Sequence, residues 1–154
     1  MRSVNLPICE YVAYSAFNNC INLKSINLPK CLNITNAFNN CSNLQSVNLP
    51  ACEYIEPYVF QGCSNLQTIS LSACSYIGSS AFYGCYNLSE IYLMGSSMCS
   101  INGSYVFRST PFAGYSGGAR YFLGIPHIYV PSSLVATYQA DASWGYFSSY
   151  FVGI

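Results

Sequence analysis

The cysteines of this chain are evenly spaced. Nine of them lie between Cys9 and Cys99, at intervals of 11, 11, 10, 11, 11, 11, 11 and 14 residues. Two intervals make a unit of about 22 residues, and other residue types keep the same step. Val4, Ile26, Val47, Ile69 and Ile91 form one column; Leu6, Leu28, Leu49, Leu71 and Leu93 form another. Met1, Leu23, Leu44, Leu66 and Leu88 precede them, and Val12, Ile34, Ile55 and Ile77 follow. Each unit closes on Phe17, Phe38, Phe60 or Phe82, just ahead of Cys20, Cys41, Cys63 or Cys85. A period in the twenties marks a solenoid, whose coils are too thin to bury an apolar stripe alone.

Elementary chemistry gives each column a task. The stretch Leu44-x-x-Val47-x-Leu49 ends in strict alternation, which predicts a short strand with one buried face. Pro7, Pro29, Pro50 and Pro131 stop such strands, because proline has no N–H for a ladder. Stacked repeats then form a parallel sheet at ~4.8 Å per layer. The phenylalanines fill the wide side of each coil. The Asn-Asn-Cys and Gly-Cys turns after them suit left-handed backbone angles.

Leu44-x-x-Val47-x-Leu49-x-x-Cys52 resembles the leucine-rich repeat pattern, in which the ninth position is Asn or Cys. Ile77-Gly-Ser-Ser-Ala-Phe82-Tyr-Gly-Cys85 is similar to its BspA-like branch, also called the Treponema pallidum type. The tail Ile128-Tyr-Val-Pro-Ser-Ser-Leu-Val-Ala-Thr-Tyr, followed by Trp144, resembles the C-terminal cap of that branch. The last repeat departs from the pattern: Met94-Gly-Ser-Ser-Met98 replaces Pro-x-Cys, and three extra residues delay Cys99.

The resemblance implies a leucine-rich repeat solenoid, a right-handed superhelix or horseshoe. Its parallel β-sheet would carry short turns or 3-10 segments on the convex side and a C-terminal cap with short helices. We expect one domain over 1–154: repeats to about 107, an insertion loop at 108–127, and a strand with a helical cap at 128–154. The resemblance further implies a bacterial surface or secreted protein engaged in adhesion, with no catalytic residues and no cofactor. Its partner would be a host or matrix protein or glycan.

Composition excludes other classes. Charged residues are 6% of the chain and the formal net charge is zero. A nucleic-acid partner would need a basic stripe, and five Lys plus Arg do not supply one. No run of about 18 apolar residues is present, so nothing here predicts a membrane span. No signal peptide is visible either. Met1-Arg-Ser-Val-Asn-Leu-Pro aligns with Leu44-Gln-Ser-Val-Asn-Leu-Pro, so we read the chain as a fragment of a longer parent.

The cysteines admit a metal site, a disulfide ladder or two columns of buried thiols. Structural zinc gathers its ligands in close C-x-x-C pairs; none occurs, and the sole histidine, His127, lies far downstream. Nine residues cannot pair completely, although neighbours in a column would fall within bridging range. The thiol reading is favoured, with cysteine acting as a small apolar residue and a weak S–H donor to loop carbonyls. Acidic residues offer little for catalysis: Glu10 and Glu53 share a repeat position, so they read as structural or solvated rather than as an acid–base pair. We therefore expect no enzyme and no metal.

Function, if it lies in the repeats, belongs on the concave face. Counting outward from the buried columns gives the rows Ser3, Ser25, Ser46, Thr68, Glu90 and Asn5, Asn27, Asn48, Ser70, Tyr92. Candidate binding residues are Asn48, Thr68, Ser70, Glu90 and Tyr92, joined by His127 and Tyr129 from the terminal strand. Aromatics supply contact area at low entropy cost, so the C-terminal end is the expected docking point. The Ser/Asn part also reads as a solubilising ladder, and the whole chain as a spacer with no ligand of its own. Phe112, Tyr115, Tyr121 and Phe122 of the loop are expected to plug the last coil. Ser132 or Ser133 is expected to cap a short helix, and apolar mass around Trp144 to close the core.

Two outcomes follow from the sequence. The bare N-terminal edge should favour self-association, seen as rising mass in light scattering with concentration; a clean monomer when concentrated would refute it. Truncation before Ser132 should give aggregated or unfolded protein, and a soluble product that melts cooperatively would remove the cap's role.

Overall fold

The computed structural model describes residues 2–113 and 126–154; the expected plug residues Tyr115, Tyr121 and Phe122 lie outside them. In chain order the strands begin with β1 (Ser3–Asn5), β2 (Tyr11–Val12), β3 (Ser25–Asn27), β4 (Asn33–Ile34), β5 (Ser46–Asn48) and β6 (Tyr54–Ile55). They continue with β7 (Thr68–Ser70), β8 (Tyr76–Ile77), β9 (Glu90–Tyr92), β10 (Ser100–Ile101), β11 (His127–Val130) and β12 (Phe151–Gly153). One helix, α1 (Val135–Ala140), and several 3-10 segments complete the described residues.

The strands form a repeat solenoid with two parallel sheets. Seven of them stack in the order β1-β3-β5-β7-β9-β11-β12, and five more as β10-β8-β6-β4-β2. The column Val12, Ile34, Ile55, Ile77 therefore lies in a second ladder, extended by Ile101, for which the sequence alone predicted no strand. Strands of two residues are too short to show alternation, so only tertiary pairing reveals them.

Both ladders enclose one core cluster. Leu28, Leu49, Leu71 and Leu93 are buried, as are Ile26, Val47, Ile69 and Ile91. On the wide side, Phe17, Phe38, Phe60, Phe82 and Phe107 form a continuous stack. Their centroids are 5.3–5.6 Å apart and their planes lie within 5–9°. Burying each ring is worth about 1.5–3 kcal/mol, and each pairing adds roughly 0.5–1.5 kcal/mol. The turns that follow take left-handed angles at Asn19, Asn40, Gly62 and Gly84, which these residue types tolerate. At Gly62 a Cβ would also collide with the Asn40 side chain one coil away.

The thiols are structural. In one column Cys9, Cys31, Cys52 and Cys74 each donate S–H to the carbonyl two residues on, at 3.1–3.4 Å. In the other, Cys41, Cys63 and Cys85 donate to Phe17, Phe38 and Phe60 carbonyls in the preceding coil, at 3.0–3.2 Å. All nine are free. The last coil is out of step: Cys99 precedes its short strand by one residue instead of two, and its Sγ lies 3.7 Å from that of Cys74.

The cap closes on that irregular coil. Trp144 Nε1 donates to the Cys99 carbonyl at 2.6 Å, and the Cys99 N–H donates to the Tyr138 hydroxyl at 2.8 Å. Trp144 and Tyr138 are fully buried, with Phe147 beside them. Phe112 plugs the same end, tilted against Phe107 at 5.7 Å. One expectation is corrected. Neither Ser132 nor Ser133 caps the helix; both lie in a 3-10 turn, Ser132–Leu134, and α1 begins at Val135 with no side-chain cap. The sheet ends on β12, which pairs with β11. At the opposite end Ile8 (80% exposed) and Ile21 (54%) lie open beside β1 and β2.

Burial pushes the Cys41 thiol from its ordinary 9.0 up to about 11 and that of Cys52 to about 12. An unfolded thiol ionises near 9 and a folded one does not. Their contribution to stability is therefore full below pH 9 and is lost as pH rises through 11 to 12. Urea midpoints should fall across that window. At about pH 8 native protein should alkylate only at half-buried Cys9 and Cys20, and denatured protein at all nine cysteines. Alkylation of native Cys63 or Cys85 would contradict the buried-thiol account.

Candidate functional site

Side chains of the seven-stranded sheet alternate between core and outward face, so the outward rows follow from strand register. Ser3, Ser25 and Ser46 lie abreast, as do Asn5, Asn27 and Asn48. Asn48 pairs with Ser70, and Thr68 and Ser70 pair with Glu90 and Tyr92. His127 then lies beside Glu90, and Tyr129 beside Tyr92. All seven candidate residues thus fall on two adjoining rows of one face.

The rows change character along their length. At the N-terminal end the polar groups satisfy one another: Ser25 donates to Ser3 at 2.9 Å, Asn27 to Asn5 at 2.7 Å, and Asn48 to Asn27 at 2.6 Å. Toward the other end the ladder gives way to rings. Tyr92 and Tyr129 stack at 4.5 Å and 15°, and His127 lies over Tyr129 at 5.7 Å and 29°. The Glu90 carboxylate accepts from Thr68 at 3.3 Å and from the Tyr92 hydroxyl at 3.4 Å. Partial burial and the Glu90 charge raise the Tyr92 phenol above its ordinary value, so it stays neutral through physiological pH.

One contributor escaped sequence reasoning. Val152 pairs with Tyr129 and extends the tyrosine row, while Phe151 turns inward against Tyr138 and Trp144. The alternation was present in the sequence, but only the pairing of β12 with β11 gives it a place. The resulting patch has an apolar and aromatic centre, one carboxylate and one imidazole. Among the described residues no group of three or more His, Cys, Asp or Glu could hold a metal ion.

The profile of the BspA type leucine rich repeat region matches residues 1–112 in six copies. The chain belongs to that family. BspA-type repeats are interaction modules, and leucine-rich repeat folds are typically non-catalytic. No curated protein matches this chain. A solved leucine-rich repeat protein from Bacteroides ovatus is similar over 86% of this chain and 52% of its own, at 18% identity and a TM-score of 0.45. The chain thus spans about half the length of that protein. No helix among the described residues is long and apolar enough to cross a membrane. The BspA-type match ends before β11, so His127, Tyr129 and Val152 come from outside the repeats proper.

Proposed function

We propose that this chain is a non-catalytic binding module of a bacterial cell-surface or secreted protein. It captures a host or matrix protein on the outward face of the seven-stranded sheet, at its C-terminal end. The stacked Tyr92–Tyr129 pair carries this reading. Two half-buried aromatic rings, held rigid by parallel strands and edged by Glu90 and His127, make the kind of anchor on which interfaces concentrate energy. An open sheet face matches an opposing protein surface better than a small molecule, which requires an enclosing pocket.

The Ser and Asn ladder favours a second reading for the first three coils. Groups already hydrogen-bonded along the sheet have little left to offer a partner, so this stretch serves as a spacer that presents the aromatic end. The readings separate on one measurement. A panel of extracellular-matrix and host-surface proteins is probed by biolayer interferometry with the wild type and with the double variant Tyr92→Ala, Tyr129→Ala. Loss of capture by tenfold or more, with the melting transition preserved, supports the platform. Unchanged capture by the variant would refute the tyrosine platform, and no capture by the wild type would leave the chain a spacer.

A further inference from the structure

A cleft lies away from that face, between the end of the phenylalanine stack and the cap. Its volume is about 490 Å³. One wall is the 3-10 turn Ser104–Phe107 with Arg108 and Phe112 after it; the other is the 3-10 segment Gly145–Tyr150. Phe112 and Phe147 form a buried apolar floor. Tyr105 and Tyr146 stand at the mouth, 57% and 77% exposed, and Tyr150 lies edge-on to Phe112 at 5.5 Å.

Its polar groups are unspent. The Arg108 guanidinium rests over the Tyr105 ring at 5.4 Å and makes no ion pair or side-chain hydrogen bond among the described residues. No acidic residue is among the described residues that line the cleft. The hydroxyls of Tyr105, Tyr146 and Tyr150 are likewise without hydrogen-bond partners among the described residues. Stacking on Tyr105 orders the guanidinium plane in advance and leaves its N–H fork free. An apolar floor, aromatic faces at the mouth, phenolic hydroxyls and one cation without a counter-charge define a complementary ligand. It has a C–H face to lie on a ring, hydroxyls along its edge and a carboxylate for the fork.

We propose that this cleft binds an acidic sugar, a uronic- or sialic-type residue whose carboxylate pairs with Arg108 and whose ring packs on Tyr146. Competing chemistries fit less well. Phosphate-rich ligands ask for several cations, and Arg108 is the one cation among the described lining residues. An extended peptide asks for an unpaired strand edge, and none of the lining residues lies in a strand. A purely hydrophobic ligand would leave Arg108 and the hydroxyls desolvated and unpaired.

The test is independent of the tyrosine platform. Saturation-transfer NMR titrations of the full chain use four probes: sialyllactose, a glucuronate-containing disaccharide, neutral lactose and a proline-rich peptide. At least one acidic sugar should bind, at least tenfold tighter than lactose, and more weakly as salt is added. Arg108→Gln and Tyr146→Ala should each weaken it tenfold or more; both side chains are exposed, so the melting transition should not move. The double variant Tyr92→Ala, Tyr129→Ala should bind it unchanged. Failure of both acidic sugars to bind, equal binding of lactose, insensitivity to Arg108→Gln, or saturation by the proline-rich peptide alone would each overturn the assignment.

Discussion

Coil-to-coil stacking is the interaction on which the rest of this molecule depends. No coil has a core of its own: its leucines, isoleucine and phenylalanine are covered only when a neighbour lies on either side. Two parallel ladders set the spacing, and the phenylalanine stack fills the volume left between them. The thiols belong to the same economy. A side chain small enough to be buried in every layer, yet able to donate to a carbonyl, satisfies loop backbone that a larger residue could not reach. Burial in turn removes the ionised form, and with it the reactivity that a column of cysteines would otherwise suggest.

A rigid stack presents its outer residues at fixed spacing, and this links fold to recognition. Where outward positions carry Ser and Asn, fixed spacing lets neighbours hydrogen-bond along the sheet, and the face is self-contained. Where they carry Tyr, the same spacing brings rings face to face and holds their flanks toward solvent. The transition coincides with the passage from repeat to cap. A repeating segment offers a repeating surface; a distinctive one needs residues from outside the repeat, here His127, Tyr129 and Val152.

Much of this was legible in the sequence, for a physical reason. Stacking forces identical environments to recur at a constant step, so burial writes itself as columns. The candidate rows could be counted out in the same way, and their neighbours lie where the counting placed them. Other features left weaker signals. The two-residue strands of the second sheet are too short to carry a period. Phe107 continues the ring stack, but the three-residue insertion places it 25 residues after Phe82 and out of column. Asn43, Asn65 and Asn87 donate across coils to the carbonyls of Ile21, Ser42 and Ser64 at 2.7–2.8 Å; their recurrence was visible, but their role was not. The cap hydrogen bonds to Cys99 join segments some 40 residues apart, beyond any local pattern.

The displaced Cys99 has a consequence for how such a chain can grow. Through Phe82 the layers are nearly interchangeable, so a duplicated or deleted unit would meet the same partners above and below. The layer holding Cys99 is not interchangeable, because its altered phase is what the indole of Trp144 and the phenol of Tyr138 grip. Lengthening is therefore open upstream of this point and closed at it. Descendants with more or fewer turns would keep the same tyrosine-bearing tip and vary only its distance from the other end.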